Sequence, residues 1–209
     1  MAKTISKEKR LAMTDNPCNR PQVTEGPLRS GAGYTCRDYT VTVPMAEYLA
    51  GFRDVPRFLE LCRQCPNYGC SWACPPFAGE SIPDLDRYRS IMIVATRIVP
   101  DGGRRRGIDD AEGMMRPERL RVERWLLQLE KERHGRAFGF SGTCPYCPPG
   151  TCARRDGHPC RHPELVRPSL EACGFNLGDT LTRLFAMDLQ WSADGNLPPV
   201  LTLIAGVAW

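Results

Sequence analysis

Lysine and histidine are scarce in this 209-residue chain: Lys3, Lys7, Lys9 and Lys131 are its only lysines, and it has three histidines. Its positive charge is nearly all arginine, which supplies donors for buried anionic sites. The net charge of +4 and the pI near 8.5 are too mild for a dedicated nucleic-acid binder. Long apolar runs are missing as well. Ile91–Ala95 and Val200–Val207 are strand-length and far too short to span a bilayer, so no membrane association is expected. The first ten residues hold no apolar segment, so no signal peptide is expected and the cytoplasm is the expected compartment. There is no Ser–His–Asp order, no phosphate loop and no dinucleotide glycine fingerprint; Gly102-Gly103 lacks the spacing.

Cysteine, by contrast, is abundant. Eleven are too many for an ordinary cytosolic chain, and the number is odd, so one at least would be left over from pairing. In a reducing compartment they read as metal ligands before they read as disulfides. Eight fall into two groups. The first is Cys62-x2-Cys65-x4-Cys70-x3-Cys74-Pro-Pro. The second is Cys144-x2-Cys147-x4-Cys152-x7-Cys160, four cysteines within seventeen residues that contain no apolar run. Such a stretch cannot build a core of its own and needs something to fold around. Cys18 and Cys36 stand alone and read as incidental thiols, and Cys173 as a small buried hydrophobe.

The rest of the chain reads as a scaffold for these loops. Residues 1–38 are polar and without lasting period, an extended arm ordered only where it packs on the body. Residues 39–209 form a single cysteine-rich metal-binding domain. Tyr39–Val43 alternates as a short strand stopped by Pro44. Val55–Leu61 reads as a helix that delivers Cys62 and Cys65 from its C-terminal end. A helical turn is expected over Ile82–Tyr88, a buried strand over Ser90–Val99 and a basic, solvated loop over Asp101–Gly107. Pro117–Arg133 is the best helix, with proline at its first turn and Val122, Trp125, Leu126 and Leu129 as its stripe. Arg136–Ser141 reads as a strand. Thr180–Met187 reads as a helix capped by Asp179, with Leu181, Leu184 and Phe185 inward. Val200–Val207 closes as a strand. This alternation implies an α/β fold, with α+β the other possibility: a small sheet covered by helices and carrying two cysteine-rich metal loops.

Spacing favours an iron–sulfur cluster over zinc. A structural zinc site uses two Cys-x-x-Cys knuckles, whereas here one pair has knuckle spacing and the other ligands are strung along one loop. Cys65, Cys74, Cys144 and Cys147 are each followed by proline, and a Cys-Pro step also ends the bacterial ferredoxin run. A four-thiolate cubane carries roughly −2 when oxidised and needs donors around it. Arg63, Arg154, Arg155, Arg161 and Arg167 flank the cysteines, and Arg63 and Arg161 are taken as candidate cofactor-binding residues. His158 and His162 bracket Cys160, where either could replace a cysteine or bond a cluster sulfur. His162 also suits a capping role at the Pro163 turn, and His134 ends a helix.

Cys65-Pro-Asn-Tyr-Gly69, Trp72, Cys74-Pro-Pro-Phe77, Cys144-x2-Cys147, Cys160-Arg-His-Pro163 and Arg167-Pro-Ser-Leu-Glu-Ala-Cys-Gly174 together resemble a family of uncharacterised prokaryotic proteins. It is known as domain of unknown function twenty-two eighty-four and described as predicted metal-binding. The resemblance runs from about Cys62 to the end. It implies metal binding, an iron–sulfur cluster in particular, through Cys62, Cys65, Cys74, Cys144, Cys147, Cys152 and Cys160. At the position of Cys70 the family carries a basic residue more often. It brings no established reaction.

Three functions follow as expectations. One is a cytoplasmic protein with one or two [4Fe-4S] clusters that exchanges electrons with a redox partner protein. The second is a cluster enzyme or maturation factor: if Cys70 is not a ligand, the first group has three thiolates and one open iron. The third is a zinc-stabilised interaction module, whose arginines at 104–106 could meet RNA or an acidic protein.

Overall fold

The computed structural model describes residues 21–77, 84–102, 107 and 110–209. Cys18, the arginines at 104–106 and the start of the turn expected at 82–88 lie outside the described residues. The strands are β1 (Thr24–Glu25), β2 (Arg29–Gly31), β3 (Tyr34–Pro44), β4 (Ser90–Pro100), β5 (Arg136–Phe138) and β6 (Leu201–Ala208). They form one six-stranded sheet ordered β1-β3-β4-β6-β5, with β2 also pairing to β3. Every pairing between these strands is antiparallel. The helices are α1 (Met45–Phe52), α2 (Val55–Arg63), α3 (Asp110–Glu132) and α4 (Leu177–Thr180). Helices lie over both sheet faces, as the α/β reading implies.

The alternation along β3 and β4 decides which residues face which layer. Tyr34 and Cys36 on β3, with Val94 and Ile98 on β4, turn toward α3 and meet Met114, Val122 and Leu126. Val41 and Val43, with Ile91, Ile93 and Ala95, turn the other way. They pack with Met45, Tyr48 and Phe52 of α1 and with Leu177, Leu181, Leu184 and Phe185. Tyr48 stacks on Phe175, ring centroids 4.6 Å apart. Cys36, read as incidental, is a core residue at 1 % exposure.

A buried polar cluster sits between β3, β4 and α3. Asp38 accepts from Thr96 Oγ1 at 2.6 Å and from Arg121 Nη2 at 2.8 Å, and Arg29 Nη2 lies 3.0 Å from its carboxylate. Glu118 accepts from Tyr34 Oη at 3.1 Å and from Arg121 Nε at 2.8 Å. Burial pushes both carboxyls up. The Arg121 hydrogen bonds and charge, helped by Thr96 and Arg29 at Asp38 and by Cys36 and Tyr34 at Glu118, more than reverse this and leave both lowered.

Several boundaries differ from the sequence reading. The first strand starts at Tyr34 rather than Tyr39, and residues 24–31 of the arm add two short strands at its edge. Helix α1 was not expected, because Pro44 read only as a strand stop. α3 starts at Asp110, seven residues before Pro117, which lies inside it. Its start is fixed by a reciprocal pair: Gly107 N–H donates to the Asp110 carboxylate, and Asp110 N–H donates to the Gly107 carbonyl, both at 3.1 Å. Asn176, not Asp179, caps the helix at 177, its Oδ1 accepting the Asp179 N–H at 3.1 Å. That helix runs into a wide π-type turn over Leu181–Phe185 and stops at Ala186, whose φ is +53°. Leu181, Leu184 and Phe185 are buried as expected.

Candidate metal centre

Both cysteine loops leave the scaffold next to each other. Helix α2 starts where the Asp54 side chain accepts the Arg57 N–H, with proline in its first turn. Val55, at its N-terminus, packs against Gly174, beside the turn Glu171–Cys173. Cys62 sits in its last turn. Beyond it the chain makes successive tight turns, in which Cys65 N–H bonds Cys62 O, Tyr68 N–H bonds Cys65 O and Cys70 N–H bonds Asn67 O, all at 3.0 Å. Gly69 N–H to Pro75 O at 2.9 Å closes the loop. The second loop follows β5. Thr151 folds back on Pro148 O, and a 3₁₀ turn over Ala153–Asp156 ends at Gly157, whose φ is +73°.

The described cysteines are all free thiols. Their mutual influence sorts them. Burial pushes the Cys74 thiol up to about 11, with the neighbouring sulfurs of Cys65 and Cys62 adding to it. Cys62 is raised by burial and then by Cys65. Cys62, Cys65 and Cys74 thus lie within electrostatic reach of one another, and Cys74 also within reach of Cys144. Cys144 is raised by burial and by Glu123, Cys147 and Cys152, and Cys160 by burial and by Cys152 and Cys147. Cys144, Cys147, Cys152 and Cys160 form a second set of four. Two backbone donors reach these sulfurs: His162 N–H lies 3.4 Å from Cys160 Sγ, and Tyr146 N–H bonds Cys144 and lowers its pKa in part.

One cavity is lined by Cys144, Cys147, Cys152 and Cys160, and Cys70 lines it with them. The Cys70 thiol lies 3.5 Å from the carbonyls of Pro66 and Tyr68, within its own turn. His162 lines the second cavity, while His158 presents its carbonyl to Trp72 Nε1 at 3.2 Å.

The arginines divide by role. Arg63 ion-pairs with Glu60 at 2.7 Å on the exposed side of α2. Arg161 holds the Thr151 carbonyl at 2.7 Å, inside the second loop. Arg167 makes a two-pronged pair with Glu130, with Nε at 3.0 and 2.9 Å from the two carboxylate oxygens. Arg154 crosses between the loops. Its Nη1 donates to the carbonyls of Ser71 and Cys74, each at 2.5 Å, its Nη2 reaches Pro76 O, and its guanidinium lies 4.9 Å from the Trp72 ring. Sequence reasoning listed Arg154 among five flanking arginines but had no signal to single it out. It also missed Glu123, a buried carboxylate under the second group that accepts Tyr146 Oη at 2.7 Å.

The donor chemistry fits a thiophilic metal group. Five cysteines line the second cavity, no carboxylate among the described residues lines it with them, and backbone N–H groups face two of the sulfurs. No three His, Cys, Asp or Glu side chains among the described residues are gathered tightly enough to hold a single metal ion. Among those residues, too, no helix is long and apolar enough to cross a membrane.

The chain belongs to the family described as predicted metal-binding protein (DUF2284), whose model matches residues 53–205 and so includes every cysteine of both groups. No curated protein and no solved structure matches it.

Proposed function

We propose that this protein is a cytoplasmic iron–sulfur protein with two [4Fe-4S] centres that exchanges electrons with a partner protein. Cys144, Cys147, Cys152 and Cys160 hold a closed centre. Cys62, Cys65 and Cys74 hold a second, with one iron free for a substrate, a water or a ligand from elsewhere. The observation that carries this reading is the one cavity lined by Cys144, Cys147, Cys152 and Cys160, beside a loop on which Cys62, Cys65 and Cys74 lie within reach of one another.

One further feature supports iron–sulfur: the N–H donors to Cys144 and Cys160 suit an anionic cluster. Metal loading must displace the protons that burial holds on Cys62, Cys74, Cys144 and Cys160.

The test is anaerobic purification with iron, sulfide and zinc measured on one sample. About eight iron and eight sulfide per chain are expected for two cubanes. Stoichiometric zinc with no sulfide would overturn the proposal and leave a structural metal module.

A further inference from the structure

Helix α3 grips the Cys144–Cys147 knuckle with two side chains, Arg116 and Glu123, two turns apart on one face. Arg116 Nη2 donates to Pro145 O at 3.0 Å, and Tyr146 Oη donates to Glu123 Oε2 at 2.7 Å. The second contact sets a buried carboxylate, 9 % exposed, behind a residue whose own N–H bonds the Cys144 sulfur. Tyr146 lines the cysteine cavity and Glu123 does not, so the carboxylate stands one side chain behind the cavity wall. Burial pushes the Glu123 carboxyl up, while Tyr146, the charge of Arg119 and the Phe140 N–H pull it back. All three of these partners favour the anion.

An anchor for Tyr146 needs only an acceptor, and an uncharged side chain supplies one without the cost of burying a charge. A cubane with four thiolates is itself anionic, so a further buried negative charge near it opposes the uptake of an electron. Anchoring alone leaves that charge unexplained. Its field does reach the ligands, since Glu123 raises the Cys144 thiol. We propose that Glu123 is a positioning residue that sets the redox potential of the second centre, its negative charge favouring the oxidised form while it holds Tyr146 against Cys144. The inference rests on the iron–sulfur reading of the second loop and deepens it by naming the group that tunes the centre.

The test is a potentiometric titration of the full chain, purified anaerobically with its metal and followed by electron paramagnetic resonance. The wave that disappears in Cys144→Ser identifies the second centre. A unit charge felt at an effective dielectric constant of about 20 from roughly 10 Å is worth on the order of tenfold. Glu123→Gln, which keeps the shape and an acceptor for the Phe140 N–H, should therefore shift the ratio of oxidised to reduced centre by on the order of tenfold toward reduced, about 59 mV upward for one electron. Tyr146→Phe keeps the charge and breaks the anchor, so it should lower iron retention without raising the potential. A change below about twofold in that ratio in Glu123→Gln, a downward shift, or an equal rise in Tyr146→Phe would each overturn the inference. Where Glu123→Gln loses its cluster, Glu123→Met carries the same test, and loss in both would overturn it in favour of an anchor alone. A parent with iron and sulfide whose wave stays put in the variants overturns this inference alone; a parent without sulfide overturns the iron–sulfur reading with it.

Discussion

Arg154 ties the two cysteine loops together alongside the Trp72–His158 hydrogen bond, and its removal has a calculable effect. Its guanidinium donates to the carbonyls of Ser71 and Cys74 at 2.5 Å each, reaches Pro76 O and covers Trp72 at 4.9 Å. A hydrogen bond from a charged donor is worth about 1.5–3 kcal/mol net, and a solvent-exposed cation–π contact about 0.5–1 kcal/mol. Taking the low end for the two half-buried bonds, and nothing for the exposed one to Pro76, Arg154→Ala should weaken loop-to-loop docking by on the order of 3 kcal/mol. That is roughly a hundredfold shift toward the undocked state. The Cys74 carbonyl accepts from Arg154 in this clasp, so undocking should expose the first centre. The assay is the rate of iron release to a ferrous chelator under anaerobic conditions, with near-ultraviolet circular dichroism reporting the Trp72 environment. Arg154→Ala should accelerate release by one to two orders of magnitude. Arg154→Lys should fall between, because an ammonium cannot present the planar fork that reaches several carbonyls at once. Release within twofold of the parent in Arg154→Ala would refute the clasp.

Other expected outcomes follow from single features. Cys70→Ser should leave iron content unchanged, whereas Cys74→Ser or Cys144→Ser should each lose about half of it, as read by iron and sulfide analysis of anaerobic protein. Gly174→Ala should destabilise by about 2–3 kcal/mol in urea unfolding. Its φ is +90°, and a Cβ there would stand 2.7 Å from Val55 Cγ2 and 2.9 Å from its Cα. The same change should lower iron at the first group, since Gly174 O accepts the Asp54 N–H that starts α2. Asp38 and Glu118 have folded pKa values below their ordinary ones. Their stabilisation is therefore full above the ordinary carboxylate pKa of about 4 and is lost as pH falls through the folded values. Thermal melts should show the midpoint dropping in that acid range, and Asp38→Asn should flatten the drop.

The parts of the fold that were legible are those in which local pattern and tertiary need agree. β4 and β6 are β-branched, strand-length and buried, and they appear within a residue or so of expectation. Helix α2 was legible from its apolar spacing, and the structure adds the Asp54 cap and first-turn proline that fix its start. The stripe of α1 was equally present, with Met45, Tyr48, Leu49 and Phe52 at i, i+3, i+4 and i+7, but Pro44 was read as an end and not also as a beginning. In α3 the proline misled in the other direction. Burial of Met114, together with the Gly107–Asp110 pair, carries the helix across it. β1 and β2 span two and three residues, too few to have a period, and exist because β3 offers them an edge. The cysteines that matter were legible as residues, but their grouping was not. Spacing along a loop does not say which way Cys70 faces, and Arg154 reaches partners about eighty positions away.

Under the two-centre reading, the two loops are not independent sites. They meet through Trp72, Arg154 and the His158 carbonyl, while the second also rests on α3 through Tyr146–Glu123 and Arg116–Pro145 O. Cys74 belongs to the first group, yet its thiol also senses Cys144 of the second and the opposing charge of Arg154. Arg154 stands two residues beyond Cys152 and holds the Cys74 backbone. One ligand of each centre is therefore connected to the other through a single side chain. If the second loop holds a metal group as proposed, the 3₁₀ turn that carries Arg154 would be fixed with it, and through Arg154 so would the backbone at Cys74. Loading of the two loops would then be coupled, and a loss of metal from the second loop should loosen the first.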